Sequence, residues 1–168
     1  EGLAHLVKEG IVDAKRACIM GAGHGGYAAL AGVTLQKSIY RCAVSVAGVS
    51  DVQKMVSTDI EERGNDPMVR RALEEEVGCG NALREVSPVR FASSADAPIL
   101  LIHGKDDTVV PYDQSVSMAN ALKKAGKQVE LVTLAGEDHW LSTSATRLAM
   151  LKAAMAFVQK HNPAGAGR

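Results

Sequence analysis

Aromatic side chains are scarce, at 4% of 168 residues. A core must therefore be built from Val, Leu, Ile, Ala and Met. Net charge is absent too: 19 basic residues balance 19 acidic ones, for a formal charge of +0. Without a basic field there is little to hold a phosphate backbone, so nucleic acid is not an expected partner. No apolar run reaches the ~18 residues that would mark a membrane span, and no membrane association is expected. The opening Glu1-Gly2-Leu3-Ala4-His5 does not read as a secretory leader. Cysteine is limited to Cys18, Cys42 and Cys79, an odd number without metal-ligand spacing. That argues against a disulfide framework and a zinc site, and for a reducing, cytoplasmic compartment. Cys18 and Cys42 read as small buried hydrophobes inside strands, and Cys79, between glycines, has no evident base beside it.

The chain is long enough for one domain with its own core. Leu3, Leu6 and Val7 stand at helical spacing before Gly10 as a C-cap. Short apolar runs at 17–20, 41–48, 98–102 and 128–134 predict four strands. Helices are expected after the glycine-rich 21–26, over 51–62 and 66–77 in the most charged stretch, and over 113–124 and 143–161. Residues 162–168 read as a frayed tail. Apolar strands alternating with helices predict an α/β fold, a parallel sheet with helices on both faces. Ligand sites in such sheets lie at the carboxyl ends of the strands. Three strand ends carry unusual loops, at 21–26, 103–111 and 136–140.

The glycine loop has two readings. Gly21, Gly23 and Gly26 spell G-x-G-x-x-G between strand and helix, a dinucleotide fingerprint. The acid that should close the next strand is missing, since that strand ends in Ala47-Gly48 and Asp51 comes late. The alternative is a nucleophile elbow, G-x-S-x-G, with Gly21 and Gly25 at the glycine positions and Gly23 where the serine would stand. Chain order favours the elbow. It is followed by Asp106-Asp107 and then by His139, each after a predicted strand, in the order nucleophile, acid, histidine.

At this point the sequence resembles the α/β-hydrolase catalytic domain of the prolyl oligopeptidase family of serine peptidases. Gly21-Ala22-Gly23-His24-Gly25-Gly26-Tyr27-Ala28-Ala29 resembles its G-A-S-Y-G-G-Y-A-A elbow. Ser87-Pro88 and Ala97-Pro98 resemble the approach to its acid-bearing strand end. His103-Gly104-Lys105-Asp106-Asp107-Thr108-Val109-Val110-Pro111 with Gln114 resembles H-G-x-x-D-x-x-V-P-x-x-Q, and Gly136-Glu137-Asp138-His139 resembles G-E-x-H. The resemblance implies that Asp107 is the acid that orients His139, that His139 is the base, and that the His24 backbone N–H is an oxyanion donor. It also implies a peptide or small acyl substrate and no cofactor or metal. Gly23 departs from the pattern by removing the nucleophile, His24 replaces the usual tyrosine, and Trp140 follows the histidine where a small residue is commoner.

The resemblance covers residues 1–168 as the C-terminal part of one such domain, because the family has further strands before the elbow strand. The elbow strand would then present an open apolar edge, to be covered by an N-terminal segment or a second chain. Three functions follow: a serine-peptidase portion inactive through Gly23, a non-catalytic peptide-binding or interaction protein, or a dinucleotide-binding domain using Gly21, Gly23 and Gly26. Several residues keep plainer readings. Gly23 can be a turn glycine without catalytic history, His24 can fill the tyrosine's space or act as a base, and His103 is a hydrogen-bonding residue at a strand end. A metal cluster of His103, Asp106, Asp107, Asp138 and His139 is the lesser alternative to solvated loop acids. The 51–86 excursion either shapes a pocket or forms surface helices, and Trp140 either lines a pocket or anchors the last helix.

Overall fold

A computed structural model describes residues 2–165. Four strands form one parallel sheet in chain order: β1 (Cys18–Ala22), β2 (Cys42–Val46), β3 (Ile99–Gly104) and β4 (Val129–Leu134). Met20 pairs with Val44, Val44 with Leu100, and Leu100 with Glu130. Between the strands run α1 (Gly2–Lys8), α2 (His24–Thr34), α3 (Val52–Glu62), α4 (Pro67–Val77), α5 (Asn81–Glu85), α6 (Asp113–Lys124) and α7 (Ser144–His161).

The residues of β2 and β3 are buried on both faces, as the unbroken apolar runs required. Alternation of side chains then splits the core in two. Ala43, Ile99 and Leu101 face α2 and α6, meeting Leu30, Val33, Met118 and Leu122. Cys42, Val44, Leu100 and Ile102 face the other way, onto Ala154 and Phe157 of α7. The fold is the expected α/β arrangement with helices on both faces.

The charged 51–86 stretch forms α3 and α4 as the pattern predicted, plus the short α5, which the sequence did not signal. Val56, Ile60 and Leu83 give this excursion a small core of its own. It is tied down by polar side chains. The buried Gln114 accepts from the N–H groups of Ser50 (2.9 Å) and Asp51 (2.8 Å). Ser87 Oγ accepts from Val52 N–H (2.9 Å) at the start of α3 and donates to Leu83 O (2.6 Å). Asp51 Oδ1 caps the same helix through Lys54 N–H.

The cysteine expectation is overturned. Cys18 and Cys42 are register partners on adjacent strands, Cα atoms 4.7 Å apart, and they form a disulfide. Spacing along the chain could not reveal that two strands would place them side by side. The odd-cysteine argument for a reducing, cytoplasmic compartment therefore loses its premise; Cys79 is free and exposed.

Among the described residues no strand pairs the outer side of β1, and Met20 on that edge is 47% exposed. At the other terminus, Asn162 Nδ2 donates to Arg16 O (3.0 Å) and Arg16 donates to Pro163 O. The end of the expected tail, residues 166–168, lies outside the described residues. Among the described residues no helix is long and apolar enough to cross a membrane.

Candidate active site

The loops after β1, β3 and β4 meet at the carboxyl end of the sheet. The first is a sharp strand-to-helix turn. Gly23 precedes α2 with φ 56° and ψ −119°, left-handed backbone that side-chain-bearing residues adopt only under strain. Its N–H donates to Val46 O of β2 (2.9 Å), which fixes the turn against the sheet. The chain doubles back so tightly that a Cβ on Gly21 would lie 2.3 Å from the Gly25 backbone. Gly26 meets the backbone of Val46 and Gly48 in the same way. Gly21 and Gly26 therefore serve the packing of strand on helix, and the dinucleotide reading is not favoured.

The second loop carries the acids. Asp106 is exposed, whereas Asp107 is buried. Asp107 Oδ1 accepts from the N–H groups of Val109 (2.9 Å) and Val110 (2.8 Å). Its Oδ2 lies 2.8 Å from His139 Nδ1. On the inner side it has a second neighbour, His103 Nε2, at 3.2 Å. His103 is fully buried, with Nε2 donating to Val110 O (2.9 Å) and Nδ1 2.8 Å from Ser115 Oγ. Burial, the largest influence, pushes the His103 imidazole below its ordinary pKa and outweighs the pull of Val110 O and Asp107. The structural reading of His103 fits these bonds.

The third loop holds His139, and Glu137 shapes it. Glu137 is buried; Oε1 accepts from Asp138 N–H (3.0 Å), and Oε2 accepts from Thr143 N–H (3.3 Å) and the Thr146 hydroxyl. One carboxylate thus stitches the loop to the first turn of α7. Asp138 turns outward, and hydrogen bonds led by the Ser142 hydroxyl hold its carboxyl below the usual range. Trp140 is 74% exposed, its ring edge-on to His139 with centroids 5.3 Å apart. It neither lines the neighbouring cleft nor packs under α7, so both expectations for it fail.

These loops bring Gly23, Asp107 and His139 together. A Cβ placed on Gly23 would lie 3.5 Å from His139 Nε2. Because a carboxylate only accepts, His139 Nδ1 is the donor in the bond to Asp107, and Nε2 of the neutral ring keeps its lone pair toward position 23. The arrangement can take a proton from a hydroxyl or a water at that point. His24 opens α2, where its N–H is one of the four with no acceptor inside the helix. Its ring is exposed, 5.8 Å from that of Tyr27. Among the described residues no group of three or more His, Cys, Asp or Glu is arranged to hold a metal ion.

Beside Gly23 and His139 opens a cleft of about 460 Å³. Val52, Met55 and Val56 of α3 and Leu73 and Val77 of α4 supply much of its wall, with Asp59 as its one carboxylate. The charged excursion therefore shapes a pocket above the strand ends, as one of its two readings had it. Tyr27, also on the wall, donates its hydroxyl to Val86 O (3.0 Å), and burial raises its pKa. The lining of the cleft was not legible in the sequence. Its only signal is that apolar residues of α3 recur at helical spacing on two adjoining stripes, one for a core and one for something else.

Known proteins share this fold. The model of the prolyl oligopeptidase family matches residues 1–163. Dipeptidyl aminopeptidase BIII of Pseudoxanthomonas mexicana is 27% identical over 136 residues, covering 79% of this chain and 20% of that protein. Inactive dipeptidyl peptidase 10 of Rattus norvegicus is 26% identical over 140 residues, covering 83% and 17%. A puromycin-hydrolyzing peptidase of Mycobacterium tuberculosis superposes with a TM-score of 0.83 at 31% identity, over 96% of this chain and 24% of that one. Acylaminoacyl peptidase of Pyrococcus horikoshii superposes at 0.79 with 25% identity, over 98% and 27%. The chain thus spans about a fifth of the length of the curated relatives it matches. With strands, elbow and loops in that common order, the chain belongs to the prolyl oligopeptidase family.

Proposed function

We propose that residues 1–168 are the C-terminal part of a serine-peptidase catalytic domain, with Gly23 at the nucleophile position, His139 as base, Asp107 orienting His139 and the His24 N–H as an oxyanion donor. The substrate class is a peptide or a small acyl compound. The observation that carries the reading is the aim of the His139 lone pair. With Nδ1 held by Asp107, Nε2 faces the point where a side chain on residue 23 would begin, 3.5 Å away. In a chain with serine there, the hydroxyl oxygen would attack the carbonyl carbon. His139 would take the hydroxyl proton and return it to the leaving amine. Gly23 has no atom to make that bond. Loss of a nucleophile from such a set costs roughly 10⁶ in kcat, or about 8 kcal/mol of barrier. The chain as it stands is therefore a peptidase scaffold with little or no turnover.

The test is fluorophosphonate labelling, read by intact mass, on this chain and on Gly23→Ser side by side. Labelling of the variant alone is expected. Comparable labelling of the unaltered chain, or labelling of neither protein, would overturn the reading. A second reading is a protein that binds peptides without cleaving them. The apolar cleft beside His139 favours it, and so does a relative named as an inactive dipeptidyl peptidase. Peptide binding without turnover would be its signature.

A further inference from the structure

The wall of the cleft carries one group that the proposed chemistry does not use. Val52, Met55, Val56 and Asp59 follow one another at the three-and-four spacing of a single helix face. All four line the cleft. Three are apolar, and the pattern calls for a fourth apolar residue where Asp59 stands. Ile60, one place on, turns away into the small core with Val56 and Leu83. Asp59 is half-buried, and among the described residues its carboxylate has neither a hydrogen-bond donor nor a cation within salt-bridge distance. Of the other acids around α3, Asp51 caps the helix and faces Arg90 at 3.6 Å, Asp113 pairs with Lys54, and Glu61 and Glu62 are exposed to solvent away from the cleft lining.

A half-buried carboxylate beside apolar side chains, with no protein partner, is left to water or to the positive charge of a ligand. The remaining ionisable groups on the wall, His24, Tyr27 and His139, are not paired with it. Met55 lies one helical turn before Asp59 on the same face, about 6 Å along the wall, with Val56 between them. A ligand group that meets both this apolar surface and the acid must combine an aliphatic stem with a positive charge. Among peptide side chains, only lysine and arginine join an aliphatic stem to a cationic tip. We propose that this cleft is a side-chain specificity pocket and that Asp59 selects lysine or arginine in the bound peptide. The inference rests on the reading of Gly23 and His139 as the reacting centre that the pocket adjoins.

The test uses the unaltered chain, whose lack of turnover permits equilibrium binding. Fluorescein-capped, C-terminally amidated pentapeptides Ala-Ala-X-Ala-Ala, with X as Lys, Arg, norleucine or Glu, are titrated by fluorescence anisotropy. Capping both ends leaves the side chain as the only added charge. Lysine or arginine should bind about tenfold more tightly than norleucine, the effect of one charge-assisted contact. The advantage should shrink as salt rises to about 0.5 M. Asp59→Asn should remove it, and Asp59→Lys should transfer it to the Glu peptide. No binding of the lysine peptide, a ratio below about two, or an advantage that survives Asp59→Asn would overturn the proposal. Fluorophosphonate labelling of Gly23→Ser keeps the two readings apart. Labelling without a charge preference would defeat the pocket inference alone. A preference that depends on Asp59, in a protein whose Gly23→Ser form does not label, would defeat the catalytic reading alone.

Discussion

Position 23 makes a sharp demand on stability that the neighbouring glycines do not share. With φ 56° and ψ −119°, any side chain there strains the backbone by ~1–3 kcal/mol. Space is not the difficulty, since the nearest atom to an added Cβ is His139 Nε2 at an ordinary 3.5 Å. Replacing glycine also narrows the unfolded ensemble, which returns ~0.4–1 kcal/mol. Gly23→Ala should therefore lose about 1–2 kcal/mol net, lowering Tm by roughly 3–6 °C for a domain of this size. Gly23→Ser carries the same strain, but its hydroxyl can donate to His139 Nε2, a bond worth ~0.5–1.5 kcal/mol. Serine should thus be the less destabilised of the two, and His139→Ala in each background should abolish the difference.

Urea titration of these variants gives the comparison directly, with Gly25→Ala and Gly21→Ala as opposite controls. Gly25 has an ordinary φ and open space around an added Cβ, so alanine there should stabilise by ~0.4–1 kcal/mol. Gly21 would drive a Cβ to 2.3 Å from backbone, and loss of ~3 kcal/mol or more is expected. If Gly23→Ala proves as stable as the parent chain, the elbow is not strained and the argument fails at its root. If serine and alanine are equally destabilised, His139 Nε2 is not aimed at residue 23.

Three further outcomes follow from the same contacts. Glu137→Ala should cost ~2–3 kcal/mol in urea titration, because it strands the Asp138 and Thr143 N–H groups that the buried carboxylate now accepts from; an effect within 0.5 kcal/mol, as at ordinary surface positions, would refute this. Reducing Cys18–Cys42, which closes a loop of sequence separation 24, should remove about 3 kcal/mol, and reductant should have no further effect on Cys18→Ser, which already lacks the bond. The third concerns pH. His103 is held neutral by burial with its pKa below the ordinary value near 6.5, so below that pH the unfolded chain binds a proton that the folded one does not. Stability should rise with pH up to about 6.5 and fall below it by up to ~1.4 kcal/mol per pH unit until the folded pKa is reached. His161, also lowered by burial, acts in the same direction. A flat urea midpoint between about pH 7 and 5.5 would show that His103 is free to charge in the fold.

Much of this architecture was legible before any coordinates, because it depends on local pattern. The strands at 98–102 and 128–134 and the helix at 113–124 were within two residues of the observed ends, since continuous apolar runs and glycine stops are strong signals. Asp107 rather than Asp106 followed from the resemblance to H-G-x-x-D-x-x-V-P, and in the structure its carboxylate accepts from the successive N–H groups of Val109 and Val110. What the sequence hid depends on register and on side chains meeting across the fold. Cys18 and Cys42 read as two unrelated hydrophobes because their pairing exists only once β1 lies against β2. Glu137 looked like part of a turn motif, although its carboxylate spans from Asp138 to Thr146. Asp59 was one acid in a charged run until α3 turned its face to the cleft. Trp140 suggested either pocket or anchor because the single tryptophan of a chain poor in aromatics is expected to be buried, yet the loop turns it outward.

The frame that holds position 23 does not draw on the residue found there. The turn is fixed by Gly23 N–H on Val46 O, by the fit of Gly21 against Gly25, and by α2 packed on β1 and β2. His139 is fixed by Asp107 and, through its loop, by Glu137. Every one of these contacts survives with serine or with glycine at 23, so geometry and chemistry are separable in this fold. They are separable in energy as well. Strain of ~1–3 kcal/mol is tolerable where the side chain supplies ~8 kcal/mol of barrier reduction, and without that reaction glycine is the residue that relieves the strain while moving nothing else. The cleft then keeps its wall, its acid and its neighbouring histidine. On the proposed reading, a hydroxyl placed at 23 is expected to become the fluorophosphonate-labelled group at a stability loss of about 1 kcal/mol, whereas no substitution at 23 should change which peptide side chain the α3 wall and Asp59 prefer.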